Sequence, residues 1–368
     1  MTKKEIQIVA FNNPYPPDFG GAIDVYYKIK ALAELGIEID LHIYHNNKRD
    51  DISGLKPFCK NIKLYKQDTQ ITKHLSLLPF SVSSRHSKAL YENLKKKDAP
   101  IIFESLRTCA ILKRPLKQKV AVRCHNIEHY YSWGLFKSEK NLVKKTAFFL
   151  ESLKFKIFES VLKKADLLLP ISNYEYSYYS KNFSTSSYYL PVFQGGTKKE
   201  IKSGFGKYAL YHGDLSTADN VKSALFLVDV FKDLNHPLII ASSFLPKKLY
   251  ERVKNFKNIT FDLILNESQL EKLIQNAHIN TLYSFQRSGT KLKVFNALFN
   301  GRHCIVNKNI VDDPEILSIC EVAENKKEYK IIVENLFQKE FIDDKTRDAV
   351  LKKYDSKLNA QKLVKLVF

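Results

Sequence analysis

The chain has 368 residues, of which 44% are hydrophobic and 27% are charged. This balance excludes a disordered chain, and the length predicts two domains of roughly 150 to 190 residues each. The net charge is +20, of which residues 1–190 carry +13, from 31 Lys and Arg against 18 Asp and Glu. Such a charge attracts phosphorylated substrates, anionic lipid or nucleic acid. Because neither zinc-finger spacing nor an RNP-like aromatic motif is present, we expect no nucleic-acid partner.

Cysteine usage and hydropathy predict a cytoplasmic protein. The five cysteines are widely spaced and form no Cys-x-x-Cys pair, which argues against a disulfide framework and a thiolate zinc site. No charge-free apolar run reaches the roughly 18 residues that span a bilayer, and no signal peptide follows Met1. We therefore expect neither leader nor anchor.

In the first half of the chain, short apolar runs alternate with helical patterns. Strands are predicted over 6–11, 37–44, 62–65, 101–103, 120–123 and 166–170, and helices over 22–35 and 172–181. Since strands that alternate with helices form βαβ units, the pattern predicts a parallel sheet.

After a glycine-rich stretch, the alternation starts again. Strands are predicted over 208–211, 238–241, 259–261, 279–283 and 304–306, with helices that begin at 220 and 290. The fold class is therefore α/β, with two Rossmann-like domains. We expect a first domain over 1–190, a linker over 191–206 and a second domain over 207–344. The tail from about 345 to 368 is predicted to be helical and is expected to cross back to the first domain.

The first loop with a chemical signal runs from 12 to 21 and ends in Gly20 and Gly21, directly before a predicted helix. Glycines let the backbone approach a ligand, and a helix amino terminus favours a phosphate or an acceptor oxygen. A tight turn without any ligand is the alternative interpretation.

A second segment follows the predicted strand over 120–123 and contains Arg123, His125, Asn126 and Glu128. Parallel sheets bind ligands at this edge, so His125 is a candidate to bind or deprotonate a substrate hydroxyl, with Glu128 orienting it. A structural histidine is the alternative. The run His-x-x-Glu-His, which ends at His129, also has the spacing of some zinc peptidases, although it begins at a strand end rather than on a helix.

The strongest signal is the segment 284–297, between a predicted strand and helix. Gly289 and Thr290 would open the helix with free amides for a diphosphate, and Arg287, Lys291 and Lys293 would balance its charge. Lys291 and Lys293 lie roughly 200° apart on a helix, so only one would face the ligand. A solvated basic helix start is the alternative.

Four motifs together resemble the retaining GT-B glycosyltransferases, in particular the family-four group of bacterial polysaccharide and glycolipid transferases. The motifs are Pro-x-Pro-Pro-x-x-Gly-Gly at 14–21, Arg-x-His-Asn-x-Glu at 123–128, Tyr-His-Gly-Asp-Leu at 211–215, and Ser-Gly-Thr-Lys-Leu-Lys-Val at 288–294 before Ala-x-x-x-Gly. The resemblance covers nearly the whole chain, but it is strong only in these patches.

The resemblance implies two domains facing a central cleft, with the acceptor in the first and a nucleoside diphosphate sugar in the second. It implies no cofactor and no metal, because cations and helix amino termini stabilise the leaving diphosphate. The expected catalytic residues are His125 and Glu128. The expected donor residues are Gly213, Arg287, Ser288, Gly289, Thr290, Lys291, Lys293 and Asn296. The expected acceptor or phosphate loop comprises Gly20, Gly21, Arg123 and Asn126. Asp312 and Asp313 are interpreted as a loop and helix cap.

Two departures from the family's pattern bear on activity. Ser288 and Asn296 occupy the positions of two glutamates, the second of which usually binds the ribose hydroxyls. A neutral Asn296 contributes about 0.5 to 1.5 kcal/mol against about 1.5 to 3 for a charged partner. The family's early basic pair has no clear counterpart around Gly213 to Lys222. Weaker donor binding is expected, and a catalytically inactive protein is an alternative.

Residues 134–165 carry eight lysines against three acids, with phenylalanines between them. On a helix, one stripe is formed by Leu150, Leu153, Ile157 and Val161, and another by Phe148, Phe155, Phe158 and Leu162. The first stripe is expected to pack on the sheet and the phenylalanine stripe to contact an anionic membrane. Burial of both stripes is the alternative.

The sequence thus predicts transfer of a sugar from a nucleoside diphosphate to a hydroxyl of a glycan or a polyprenyl- or lipid-linked acceptor, at the inner face of the cell membrane. Two alternatives remain: a non-catalytic GT-B subunit that binds a partner transferase, and a sugar-nucleotide epimerase.

Overall fold

The computed structural model describes residues 4–46, 49–196, 203–287 and 291–368. The chain divides into two compact units. The first comprises Met1–Gly195 and Tyr354–Phe368, and the second comprises Gly196–Lys353.

The first unit contains a seven-stranded parallel sheet. Its strands, in chain order, are β1 Glu5–Ala10, β2 Glu38–His45, β3 Asn61–Lys66, β4 Ile101–Glu104, β5 Val120–Cys124, β6 Leu167–Pro170 and β7 Ser186–Ser187. Their order across the sheet is β3-β2-β1-β4-β5-β6-β7, so the chain reverses its direction of growth between β1 and β4. Ligands of open parallel sheets bind at such a switch point, beyond the carboxyl ends of the strands.

Helices cover both faces of this sheet. They are α1 Gly20–Glu34, α2 Phe80–Ser83, α3 Lys88–Leu94, α4 Glu128–Ser138, α5 Leu142–Phe158 and α6 Asn173–Asn182, with 3-10 helices at Ser53–Leu55, Ile71–Leu75, Leu106–Lys113 and Glu159–Lys164. The side chains of β1 alternate between two cores: Ile6 and Ile8 join the core under α1, and Val9 joins the opposite one. Both faces of this parallel strand are buried, which explains why apolar residues occupy both faces, with a buried Gln7 that donates to the Leu94 and Ala99 carbonyls.

The second unit contains a six-stranded parallel sheet of order β10-β9-β8-β11-β12-β13. Its strands are β8 Ala209–His212, β9 Leu238–Ser242, β10 Ile259–Leu263, β11 Ile279–Thr281, β12 His303–Val306 and β13 Glu321–Val322. Its helices are α7 Ala218–Phe231, α8 Lys247–Val253, α9 Glu267–Asn276, α10 Lys293–Asn300, α11 Pro314–Leu317, α12 Lys326–Phe337 and α13 Lys345–Lys352. Asp313 caps α11 by accepting the amide of Glu315 at 3.0 Å, as predicted.

The last helix, α14 Ser356–Val367, packs against α1 in the first unit. Ala360, Leu363 and Val367 are buried in the core that also holds the even residues of β1. Ser356 exchanges hydrogen bonds with the backbone of Gln194, at 2.7 and 3.1 Å. The first unit is therefore built from both ends of the chain.

The α/β class with two Rossmann-like units is confirmed. Several boundaries differ from the expectation. α1 and α7 begin at Gly20 and Ala218, each two residues early, and α10 begins at Lys293, so that Lys291 precedes the helix. Of the tail predicted from about 345 to cross back, only Tyr354–Phe368 belongs to the first unit. Among the residues described, no helix is long and apolar enough to cross a membrane.

Candidate functional site

In the first unit, His125 lies just beyond the carboxyl end of β5 and is 8% exposed. Its Nε2 is 3.0 Å from Glu104 Oε2 at the end of the neighbouring strand β4, and Phe11 meets its ring edge-on at 5.8 Å. Because a carboxylate only accepts, Nε2 is the ring nitrogen that donates to Glu104, and Nδ1 is the nitrogen left for a substrate. Glu104 thus orients the ring so that Nδ1 can contact a hydroxyl.

The carboxylate of Glu104 is held ionised by its neighbours. Burial by itself raises its pKa, but the Lys28 ammonium at 2.8 Å and the hydrogen bond from His125 outweigh burial and lower the pKa below 4.5. Asp24 follows the same pattern: burial raises its pKa, but the charges of Arg123 and Lys28 lower the pKa by more than burial raises it. Each buried carboxylate is therefore paired, as charge burial requires.

Arg123 is completely buried beneath His125. Its Nε and Nη2 donate to the Asp24 carboxylate at 3.1 and 2.8 Å, its Nη1 donates to the carbonyls of Leu190 and Leu169, and Nη2 also donates to Pro191. All five N–H groups are occupied. The predicted role of Arg123 in binding an acceptor or phosphate is therefore wrong, because its guanidinium has no donor left; it positions Asp24 instead.

Asp24, Glu104 and His125 place one potential metal-ligand atom each within 4.8 Å of one another. Lys28 already lies among them, with Nζ 3.1 Å from Asp24 Oδ2 and 2.8 Å from Glu104 Oε1. A divalent ion would have to displace this ammonium and face Arg123 as well. The carboxylates of Asp24 and Glu104 are thus matched by the Lys28 ammonium rather than by a metal ion.

Glu128 does not pair with His125. It is the first residue of α4, and its carboxylate accepts the Ser105 hydroxyl at 2.8 Å and Arg107 Nη2 at 2.9 Å. The carboxylate that contacts His125 is instead Glu104, because β4 is adjacent to β5 in the sheet and Glu104 is in register with Arg123, two residues before His125.

The zinc-peptidase interpretation of 125–129 is wrong. His125 precedes α4, which begins at Glu128, so the two histidines do not share a helical face. His129 Nδ1 instead pairs with Glu159 Oε2 at 3.1 Å.

The glycine loop lies beside His125. Gly20 begins α1, and the first helical bond runs from the Ile23 amide to the Phe19 carbonyl, so the amides of residues 20–22 precede the helical ladder. A Cβ at Gly21 would come within 2.7 Å of the Phe11 ring, the same ring that touches His125. Gly21 thus lets the helix start approach the site closely. Asn126 is half-buried, and its backbone carbonyl accepts the Tyr179 hydroxyl at 3.0 Å.

In the second unit, Lys293 is the notable predicted residue. Its Nζ lies 4.8 Å from the Tyr211 ring centroid and 3.5 Å from Asn220 Oδ1, its hydrogen-bond partner within the described chain. A Cβ at Gly213 would lie 3.6 Å from this ammonium. Burial, then the charge of Lys291, lowers the pKa of Lys293 to about 7. The structure thus brings Gly213 and Lys293 together at the carboxyl end of β8.

The other predicted donor residues are less concentrated. Arg287 and Asn296 are exposed, and the Lys291 amide donates to the Ile310 carbonyl at 3.1 Å. Ser288, Gly289 and Thr290 lie outside the described residues. Their predicted contact with a diphosphate stays a prediction.

Sequence reasoning missed Asp24, Lys28 and Glu104. A signal existed for the first two, since they stand four residues apart on the face of α1 that carries Val25, and both are buried. Charged residues on the apolar face of a helix are unusual unless they are paired. Glu104 ends a short apolar strand, which gives no comparable signal.

Comparison with known proteins shows the fold. No family model matches the chain. An uncharacterized 44.6 kDa protein in the cps region of Klebsiella pneumoniae is 28% identical over 246 residues, which span 64% of this chain and 61% of that protein. A sucrose-phosphate synthase from Thermosynechococcus elongatus matches with a TM-score of 0.69 at 13% identity, over 99% of this chain and 98% of that one.

A UDP-glucose:anthocyanidin 3-O-glucosyltransferase in complex with UDP matches with a TM-score of 0.57 at 12% identity, over 100% of this chain and 99% of that one. Two Rossmann-like units with the overall fold of glycosyltransferases define the GT-B class. The chain has this GT-B fold, and the structural resemblance predicted from its motifs is confirmed at that level. Membership of family four stays a prediction.

Proposed function

We propose that the chain is a glycosyltransferase. It moves a sugar from a nucleoside diphosphate carrier to a hydroxyl of a glycan or lipid-linked acceptor, with retention and without a metal, in the synthesis of cell-surface polysaccharide or glycolipid. The GT-B fold supports the reaction class. The relative from a cps region supports the proposed setting.

The observation that carries the proposal is the position of Lys293. A largely desolvated ammonium with a neutral hydrogen-bond partner lies beside Gly213, at the sheet edge where open α/β folds bind ligands. A diphosphate there would gain a charge-assisted hydrogen bond and would relieve the cost of burying an unpaired cation. This chemistry stabilises a leaving diphosphate without a divalent ion.

The first unit supplies the acceptor side of the reaction. His125, oriented by Glu104, would bind a hydroxyl of the transferred sugar or of the acceptor, and the α1 amides beside Gly21 would bind an oxygen nearby. In a retaining reaction the departing phosphate assists removal of the acceptor proton, so His125 positions the sugar.

Replacing His125 with alanine should therefore separate binding from turnover. We expect transfer to fall by about 100-fold or more, the size typical of a lost positioning or acid–base group, while nucleotide binding is retained. Thermal shift with a panel of nucleoside diphosphates and their sugars would identify the donor, since a ligand at 100 times its dissociation constant stabilises by about 2.7 kcal/mol. Transfer is then measured with the donor that shifts the wild type most.

The outcomes separate the alternatives. Full transfer by the His125→Ala protein would remove His125 from the mechanism. A wild type that no nucleotide stabilises would favour a non-catalytic GT-B subunit, and conversion of the sugar nucleotide without any acceptor would favour an epimerase.

We also propose peripheral contact with the cytoplasmic membrane surface through α5, with one correction to the predicted face. Phe155 and Phe158 are 3% and 5% exposed and belong to the core, whereas Ile157 is 76% exposed and Leu150 and Leu153 are each 48% exposed. Phe155 and Phe158 are buried because they belong to the hydrophobic core that also contains residues of β4 and β5. Membrane contact therefore falls to the three exposed residues Leu150, Leu153 and Ile157, here called the aliphatic stripe, whereas Val161 is buried.

The surroundings of the aliphatic stripe suit an anionic bilayer. Exposed Leu75 lies in the 3-10 helix Ile71–Leu75, whose His74 carbonyl accepts Lys154 Nζ at 2.9 Å from α5. Apolar side chains among lysines insert into the headgroup region and pair with anionic lipid.

Serine at all three positions of the aliphatic stripe should abolish flotation with vesicles rich in phosphatidylglycerol. The expected loss follows from about 0.8 kcal/mol per buried methylene. Serine at the exposed Ile331 and Ile342 of the second unit is the matched control and should leave flotation unchanged. Equal flotation of the two variants would contradict the contact.

A further inference from the structure

Two arginines that the sequence analysis did not select lie at the site of the first unit. Arg107 follows β4 in the 3-10 helix Leu106–Lys113, and Arg85 follows α2. Arg85 Nε donates to the Phe11 carbonyl at 2.7 Å, just beyond the end of β1. Since β1, β4 and β5 are neighbours in the sheet, both arginines belong to the edge that carries His125.

The guanidinium of Arg107 is only partly used. Nη2 donates to Glu128 Oε2 at 2.9 Å, and within the described chain its buried Nε has no hydrogen-bond partner. Nε is closed off from solvent, but the side chain as a whole is 27% exposed. Nη1, which also has no hydrogen bond within the described chain, is therefore the donor that a bound acceptor atom can reach.

Arg85 is likewise incompletely used. Nε donates to Phe11, and Nη1 donates to the Ser81 carbonyl at 2.8 Å and to the Ser84 hydroxyl at 3.3 Å, which leaves Nη2 without a hydrogen bond in the described chain. Burial, then the charge of Arg107, lowers the pKa of Arg85 to about 10. Two cations held near each other in this way attract an anion.

Arg123 shows the contrast within the same unit. All five of its N–H groups are bonded to Asp24 and to three carbonyls, as in an arginine that serves the fold. Arg85 and Arg107 keep free donors at the ligand edge, where a purely structural arginine would have none to spare.

The backbone beside them is held in an unusual conformation. Ser105, between Glu104 and Arg107, has φ 70° and ψ 151°, a region that a residue with a side chain rarely adopts. Its hydroxyl donates to Glu128, and the Arg107 amide donates back to it. The turn thereby fixes Glu128, which holds Nη2 of the Arg107 guanidinium and leaves Nη1 without a hydrogen bond in the described chain.

We propose that Arg85 and Arg107 bind a phosphate group on the acceptor, so that the acceptor substrate is a phosphorylated sugar or a phosphate-linked lipid. The inference rests on the proposed function and adds the chemical class of its acceptor. One guanidinium group can donate two parallel hydrogen bonds to two oxygens of a phosphate, which makes arginine well suited to bind this group. The carboxylates of Glu128 and Glu151 offset part of the positive charge of Arg107. Phosphate binding therefore depends on direct hydrogen bonds from the two guanidinium groups rather than on net charge alone.

The test is calorimetric titration of the full-length protein with inorganic phosphate at constant ionic strength. We expect Arg85→Gln and Arg107→Gln each to weaken phosphate binding by about tenfold or more, as loss of a charge-assisted contact should. Arg85→Lys, which keeps the charge, should retain part of the affinity. Arg252→Gln, at an exposed arginine of the second unit, is the matched control and should bind as the wild type does.

Two further arms identify the source of the phosphate. Glucose 6-phosphate and a short prenyl phosphate are each titrated, and the one that binds more tightly than inorganic phosphate through Arg85 is the better acceptor class. The proposal is overturned if inorganic phosphate fails to bind the wild type, or if both glutamine variants bind it unchanged.

The Lys293→Met protein separates this proposal from the proposed function. Phosphate bound at Arg85 and Arg107 survives that substitution, whereas phosphate bound at the donor site is lost, which would overturn the inference. If nucleotide binding fails while Arg-dependent phosphate binding remains, the donor assignment is wrong and the anion site stands.

Discussion

Substitution of Lys293 by methionine should raise the dissociation constant for a nucleoside diphosphate by about 10-fold to about 150-fold. The estimate corresponds to the loss of one charge-assisted hydrogen bond, worth about 1.5 to 3 kcal/mol. Methionine keeps the length and the apolar stem of lysine, so the packing against Tyr211 is preserved. The measurement is titration calorimetry near pH 6.5, where Lys293 is mostly protonated because its pKa is about 7.

The pH dependence of binding supplies an independent check. Only the protonated lysine attracts the diphosphate, so the bound ligand raises the pKa of Lys293 above its free value of about 7. Affinity is therefore full below pH 7 and falls as the pH rises above it, by up to about tenfold per unit for the uptake of one proton. The Lys293→Met protein should show no such decline between pH 7 and pH 9.

Lys222 provides the matched control, since it is an exposed lysine of the same unit that lies 3.8 Å over the Phe285 ring. Its replacement by methionine should leave both the affinity and the pH profile close to those of the wild type. Equal losses in the two variants would mean that general positive charge, rather than the desolvated ammonium, attracts the ligand.

Replacement of Arg123 by leucine should lower the free energy of unfolding of the first unit by about 3 to 5 kcal/mol. The change removes one of the two cations beside Asp24 and leaves the carbonyls of Leu169, Leu190 and Pro191 without this donor. Urea unfolding followed by tryptophan fluorescence measures the effect, because the single tryptophan of the chain, Trp133, lies in α4 of the first unit.

Two further variants test this interpretation, one as a control and one as a partial rescue. Arg252→Leu removes an exposed ion pair with Asp229 and should change stability by no more than about 1 kcal/mol. Adding Asp24→Asn to Arg123→Leu should recover part of the loss, since the uncompensated carboxylate is then gone. An Arg123→Leu protein as stable as the control would show that the buried network contributes little.

Much of the fold could be predicted from periodicity alone. Strand β9 is a continuous apolar run and β2 alternates apolar with polar residues, and the predicted limits of both lie within one residue of the observed ones. The edge strands β7 and β13 have two residues each and carry too little pattern to be recognised. The buried face of α5 could not be predicted either, because both stripes are apolar and only the packing partner decides which one is buried.

The site was predictable in its position along the chain but not in its pairings. The motif around His125 indicated the right edge of the sheet, yet it suggested Glu128 as partner because Glu128 is near in sequence. The observed partner, Glu104, is 21 residues away and becomes adjacent only because β4 lies beside β5. Arg123 was misassigned for the same reason: its partner Asp24 is 99 residues distant.

The position of α14 affects how the protein is made. Leu363 and Val367 complete the core beneath β1, although more than 300 residues separate them from that strand. A ribosome has therefore synthesised the whole second unit before the first can close its hydrophobic interior. Until then this surface of the first unit stays uncovered. Every strand of the second unit, in contrast, has been synthesised once Lys353 is added to the chain. The later-made half is thus able to finish folding first.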